Sequence, residues 1–414
     1  MSTHLHLPTR HPIARPDEVG LDAKRLQRIN AWMRRYVDEG KLPFALVMLA
    51  RRDRVAFLDY YGQQDISAAT PVQADTVVRI YSMTKPITTV AALMLYEQGL
   101  FQLDDAVSTY LPELGGLDVF VGGDAENPQT ERSTHDFTVH ELMTHTCGLT
   151  YGFIEATPVD EIYRRDGIDF NKGDLPLAEL VTRLGRAPLL SQPGAQWNYS
   201  VATDVLGHLI EVWSGMDLNC YVRENILAPL GMHDTGFHVS EENHTRFAAS
   251  YRRNSQGVLA EVESSVGGRF TRPAVTYSGG GGLVSTAEDY MRFARMLMRG
   301  GELDGVRLLG KKTVELMTRN HLPADMAAMG QARFSESNYR GIGFGLGVSV
   351  TIDPAAAQIL GSAGEYAWGG AASTAFWSDP SEQQTVILMT QLLPSSLYPI
   401  RNELRVLSYQ AIID

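Results

Sequence analysis

At 414 residues, 44% of them hydrophobic and 20% charged, the chain is long enough for a large core and for two structural lobes. Its formal net charge of −12 disfavours nucleic acid and an anionic membrane surface as partners. Two cysteines, Cys147 and Cys220, exclude a disulfide framework, and no run approaches the roughly 18 apolar residues of a membrane span.

The first 16 residues carry His, Pro and Arg without an apolar stretch, so no secretory signal is expected and a cytoplasmic location follows. Asp22 is placed to cap a helix running to about 39, with Leu26, Ile29, Trp32, Met33, Tyr36 and Val37 on one face. Strand-like runs at 45–50 and 54–60 are joined by Arg51-Arg52-Asp53 as a hairpin. A helix followed by a hairpin predicts an antiparallel sheet covered by helices on one side. Another strand-like run, 76–80, precedes a helix over 86–99.

From 103 to about 237 the pattern is helical and loop-rich. The polar stretch 121–136 reads as an exposed loop. A short helix over 138–144 ends in His145-Thr146-Cys147-Gly148-Leu149, and helices are expected over 198–214 and 217–227, the second stopped by Pro229. Both cysteines stand in apolar surroundings and read as buried small side chains. Farther on, the glycine run at 278–282 leads into Leu283-Val284. Ser285-Thr286-Ala287-Glu288 then forms a capping box for a helix to about 298. Runs 341–351 and 365–377 read as strands, Asp379-Pro380 as a turn and 385–392 as a returning strand. The last helix aligns Ile400, Leu404, Leu407 and Ala411. The sheet is thus assembled from both chain ends, with a mostly helical lobe between. Loops 121–136, 252–275 and 320–340 are expected to shape the groove between the lobes.

The stretch with chemical content is Ser82-Met83-Thr84-Lys85, at the mouth of the 86–99 helix. Positions i and i+3 share a helix face, which sets a hydroxyl beside an amine. The helix start adds unsatisfied N–H groups and positive partial charge, both able to stabilise a developing oxyanion. Taken alone, such a pair is also what a capping serine and a surface lysine look like.

Two other motifs have plainer readings. His140 and His145 are five positions apart, about 140° around a helix, and so do not share the face that a zinc pair needs. Gly279 to Gly282 is followed by neither Lys-Ser/Thr nor a helix. It reads as a strand requiring close backbone approach rather than as a phosphate cradle. The sequons at Asn198 and Asn243 carry no weight without a secretory route. No Gly-x-Ser-x-Gly elbow occurs, which counts against an α/β-hydrolase. Neither metal nor cofactor is expected.

Tyr199 has the structural reading of an aromatic at a helix start. Beside Ser82 and Lys85 it can instead be a phenol that takes the serine proton, provided a cation stabilises the phenolate. Trp368-Gly369-Gly370-Ala371 places two glycines on a candidate strand, where either a bulge or a carbonyl seeking backbone N–H donors would account for them.

In the order Ser82-x-x-Lys85, Tyr199-Ser200, Trp368-Gly369-Gly370, with His145-Thr146-Cys147-Gly148-Leu149 and Gly279 to Leu283 around them, the chain resembles the serine β-lactamase and penicillin-binding-protein superfamily on its class C side. It is most similar there to the family VIII bacterial carboxylesterases, from about 20 to 410. The resemblance implies an α+β, β-lactamase/transpeptidase-like fold. An α/β domain (1–83 and 266–414) would carry an antiparallel sheet flanked by helices, a mostly helical domain (84–265) would be inserted in it, and the site would lie in the groove between them. It further implies Ser82 as nucleophile, Lys85 as its activating partner and Tyr199 as base. The backbone N–H groups of Ser82 and Ala371 would form the oxyanion hole, and Trp368, Gly369 and Gly370 would contact substrate. Where relatives carry a lysine that helps bind a substrate carboxylate, this chain has Trp368, which points to a neutral ester with an apolar acyl group. The expected function is a cytoplasmic serine carboxylesterase for short- to medium-chain esters. A β-lactamase, D-amino-acid peptidase or acyltransferase on the same site is the alternative, and a catalytically silent binding protein the remoter one. The expected partner is a small-molecule ester, with neither nucleic acid nor membrane; no oligomeric state is implied.

Overall fold

The computed structural model describes residues 9–330, 333–334 and 337–414. Residues 1–8 of the His-, Pro- and Arg-rich start, and 331–332 and 335–336 of the expected 320–340 loop, lie outside them. Helix Ala23–Asp38 is capped by Asp22, whose Oδ1 accepts the Arg25 N–H at 2.9 Å, and it buries Leu26, Ile29, Trp32, Met33 and Tyr36 as one stripe. Strands Phe44–Arg51 and Arg54–Asp65 form the expected hairpin. Arg52 and Asp53 are both left-handed at its turn, the geometry that matches the twist of the flanking strands.

The main sheet has eight strands, in the order Ile342–Phe344, Ser349–Thr351, Tyr366–Gly369, Ala375–Asp379, Gln384–Met389, Phe44–Arg51, Arg54–Asp65, Thr70–Pro71. Neighbours run antiparallel, and the seam between the two chain ends is the pairing of Leu46 with Met389 through Arg51 with Gln384. Helices cover both faces of the sheet, not one. Ala45, Val47 and Leu49 pack toward the first and last helices. Phe44, Leu46, Met48 and Ala50 join the larger core with Ile87 and Met291. The physical reason is in the strand itself, which is apolar at successive positions and buried throughout.

Several element boundaries differ from expectation. Run 341–351 is a hairpin, Ile342–Phe344 with Ser349–Thr351, broken where Gly347 takes φ +73°. Run 365–377 is likewise two strands, Tyr366–Gly369 and Ala375–Asp379, turned at 370–374 with Gly370 N–H on the Thr374 carbonyl. Stretch 121–136 is exposed but ordered, since strands Asp118–Gly123 and Pro128–Arg132 pair across most of it. Only Val78–Arg79 of run 76–80 is a strand, paired with Val284–Ser285. In place of the expected box, a simple cap sits one residue late: Thr286, not Ser285, accepts from the Asp289 N–H and starts helix Ala287–Met298, while the Asp289 carboxylate turns to Arg10, Asp234 N–H and Thr235. Helix Ala202–Ser214 begins four residues late, because the backbone at 197, 198 and 201 bonds across to Met329, His145 and Thr150. Cys147 is buried as expected, but Cys220 is only half-buried. No helix among the described residues is long and apolar enough to cross a membrane.

Candidate active site

Ser82 lies in a 3-10 turn, Tyr81–Met83, between strand Val78–Arg79 and helix Thr84–Glu97. Tyr81 sits at φ +42°, a conformation that a bulky residue adopts only when its surroundings hold it there. They do so from several sides. The Tyr81 hydroxyl donates to Glu263 at 3.0 Å, and the buried Arg79 guanidinium donates to the Ala248 and Ser264 carbonyls at 2.7 and 2.8 Å. Tyr290 donates to the Met83 carbonyl at 3.0 Å, and the Leu283 N–H to Thr84 Oγ1 at 3.1 Å.

Onto this turn the fold brings the side chains singled out by sequence. The Tyr199 hydroxyl is 2.6 Å from Ser82 Oγ. Lys85, with no exposed surface, places Nζ 3.5 Å from Ser82 Oγ, a long contact rather than a full hydrogen bond. Its ammonium also sits 4.6 Å from the Tyr199 ring centre, within cation–π range. Its firm bonds go elsewhere, to the Gly280 carbonyl at 2.7 Å and the Tyr151 hydroxyl at 3.0 Å.

A buried ammonium needs compensation, and two residues that the sequence reading missed supply it. Asp204, also buried, accepts from the Gly280 N–H at 3.0 Å and from the Ser278 hydroxyl. Burial holds its carboxyl above the usual carboxylate range, and the Lys85 charge offsets only part of that rise. Tyr151 is driven well above the ordinary phenol value by burial, then by the facing charges of Asp204 and Tyr199. Gly280 thus couples the two charges, its N–H on Asp204 and its carbonyl on Lys85. A β-carbon there would lie 2.5 Å from Asp204 Oδ2 and 2.9 Å from the Tyr151 hydroxyl. Close approach is therefore the purpose of the glycine run, but the run is a turn rather than the expected strand. The signal for Asp204 was an acid among apolar residues in helix Ala202–Ser214; Tyr151 carried none beyond following the His145–Leu149 motif.

Tyr199 itself is held in a loop just ahead of that helix, not at its start. His145 takes φ +59°, its carbonyl accepts the Asn198 N–H at 2.9 Å, and its Nδ1 is 3.0 Å from Ser200 Oγ, so it grips both sequence neighbours of Tyr199. His140 points away to His321, 3.0 Å between ring nitrogens.

The far wall is the end of strand Tyr366–Gly369. Trp368 is buried, its ring centre 5.6 Å from that of Tyr199 and 5.3 Å from that of Phe344. Gly370 abuts the turn that carries Ser82, and a β-carbon on it would fall 2.4 Å from the Ile80 carbonyl oxygen. Gly369 lies under Arg401, whose Nη2 donates to the Gly370 and Thr374 carbonyls at 2.8 and 2.9 Å. Ser82, Tyr199, Trp368, Gly369, Gly370 and Ala371 all line one cavity of about 410 Å³.

Comparison with known proteins gives a consistent result. A family model described as Beta-lactamase matches residues 29–410. Protein Rv1367c of Mycobacterium tuberculosis is 37% identical over 88% of this chain and 89% of its own. Esterase EstB of Burkholderia gladioli is 32% identical over 91% and 93%. Among solved structures, EstCE1, a hydrolase with promiscuous acyltransferase activity, superposes with a TM-score of 0.78 at 26% identity, covering 95% of this chain and 98% of that one.

Proposed function

The chain belongs to the Beta-lactamase family and groups with the family VIII carboxylesterases of the serine β-lactamase and penicillin-binding-protein superfamily. From that premise we propose that it is a cytoplasmic serine carboxylesterase hydrolysing short- to medium-chain esters through an acyl-enzyme on Ser82. The observation that carries this is the 2.6 Å contact between the Tyr199 phenol and Ser82 Oγ, with the buried Lys85 ammonium beside both.

Tyr199, as the phenolate that Lys85 stabilises, takes the Ser82 proton while Oγ attacks the ester carbonyl. The oxygen that becomes negative is held by the backbone N–H groups of Ser82 and Ala371, donors that cost no reorganisation at the moment of reaction. Collapse of the tetrahedral intermediate breaks the bond to the alkoxide, which leaves with the proton from Tyr199. A water, deprotonated by the same phenolate, repeats the sequence on the acyl-enzyme and frees the acid and Ser82. Trp368–Gly370 would form the substrate-contacting wall, and the groove would lie between the sheet-bearing segments 1–83 and 266–414 and the helical segment 84–265.

A second reading replaces water by an alcohol and makes the protein an acyltransferase; the promiscuous acyltransferase activity of EstCE1 favours keeping it. A β-lactamase reading is disfavoured by Trp368, which offers no cation to a substrate carboxylate from that strand. Assaying p-nitrophenyl butyrate, nitrocefin and a D-alanyl peptide side by side, with and without an added alcohol, tests the proposal. Ester turnover that dominates and needs no added alcohol is the expected result, and faster nitrocefin or peptide cleavage would overturn it.

A further inference from the structure

The charge inside the cavity opposes the charge of the molecule. The chain as a whole carries −12. Among the described residues, however, the charged lining of the cavity is Arg252, Arg401, Arg405 and the single carboxylate Glu365. Two of the three arginines have work within the fold. Arg405 is engaged by Glu365, and Arg401 braces the 370–374 turn.

Arg252 differs. In strand Ser250–Arg253 its neighbours point into the structure: the Tyr251 hydroxyl accepts the Ile66 N–H at 2.7 Å, and Arg253 Nε donates to the Gly257 carbonyl at 2.7 Å. Period-two alternation turns Arg252 outward onto the cavity, where it is exposed. No carboxylate or hydrogen-bond acceptor meets its side chain among the described residues. An arginine of this kind, on the wall of the cavity that also holds Ser82, is a ready receptor for a planar anion.

Its position also says which end of a substrate it meets. The leaving oxygen must face Tyr199 to collect a proton and the carbonyl oxygen the Ala371 N–H, which leaves the Leu393 and Pro394 side of the cavity to the acyl substituent. Leu392 N–H bonds the Ala372 carbonyl, and Leu393 is the register partner of Arg252. Deepening the ester hydrolysis proposed above, we infer that the acyl chain of the preferred substrate ends in a carboxylate held by Arg252, that is, that the enzyme acts on half-esters of dicarboxylic acids. Trp368 leaves the strand position without a cation, and Arg252 supplies one from a different element.

The test pairs monoethyl succinate, glutarate, adipate and suberate with ethyl butyrate, valerate, hexanoate and octanoate, following ethanol release by wild type, Arg252→Gln and Arg252→Lys. Wild type is expected to favour the charged member of at least one pair in kcat/KM, with the advantage shrinking as salt is added. Arg252→Gln is expected to lower that charged-to-neutral ratio by roughly tenfold or more, mainly through KM, and Arg252→Lys to keep part of it. A wild-type ratio below one in every pair, or a ratio that Arg252→Gln leaves unchanged, overturns the inference. Failure to cleave any ester of either series would instead sink the esterase proposal itself.

Discussion

The hydroxyls of Ser82 and Tyr199 lie 2.6 Å apart although 117 positions separate them in the chain, and the Lys85 ammonium sits on the Tyr199 ring face. A phenol so placed needs no conformational change to exchange a proton with the serine. Its ring is packed against Trp197, His145, Tyr151 and Trp368, which fixes the direction of the hydroxyl.

Tyr199→Phe removes only the oxygen and keeps that packing. Ester turnover is expected to fall by about 10²–10⁴ in kcat, the usual contribution of a positioned acid–base group, with little change in Tm. Stopped-flow acylation with p-nitrophenyl butyrate is the check, and a burst as fast as that of wild type would remove Tyr199 from the role of base.

Gly370→Ala tests the wall opposite. The added methyl would be driven against the Ile80 carbonyl and Thr374 Oγ1, and the turn carrying Ala371 must retreat from Ser82. Since losing one oxyanion donor costs about 10²–10³ in kcat, a fall of that order with KM far less affected is expected. Steady-state kinetics on a neutral ester measures it; a wild-type kcat would mean that the Ala371 N–H plays no part.

These two sites differ in how far sequence could reach them. Ser82 and Lys85 are one helical turn apart, so their proximity is local and readable. Tyr199 and Trp368 were reached through motif order, because nothing in their own neighbourhoods announces where they meet. Asp204 and Tyr151 escaped notice since what unites them with Lys85 is the Gly280 turn, 195 positions from the lysine, and a glycine's sequence signal does not say whose side chains will crowd it. Among the strands, 365–377 read as one because small apolar residues continue into the turn, at Ala371 and Ala372, where Pro or Asn would have marked a break.

His145 makes stability depend on pH. Burial, and then the Lys85 charge, hold its imidazole well below the ordinary value of 6.5. As pH falls below that value the unfolded chain binds a proton that native His145 refuses. Stability present above 6.5 is therefore lost on acidification, by at most about 1.4 kcal/mol per pH unit. His145→Gln abolishes the titration, so the Tm deficit of the variant is expected to narrow from about pH 7.5 to about pH 5.5. Calorimetry at the two pH values checks this, and a deficit that stays constant would place the proton elsewhere.

Intact-mass spectrometry of the enzyme quenched during turnover of p-nitrophenyl butyrate, followed by peptide mapping, detects the acyl group on the serine itself. One butyryl group on Ser82 in wild type, accumulating further in any variant slowed in deacylation and absent from Ser82→Ala, is the predicted result. Full ester turnover by Ser82→Ala, or an acyl group mapped to another residue, would contradict it.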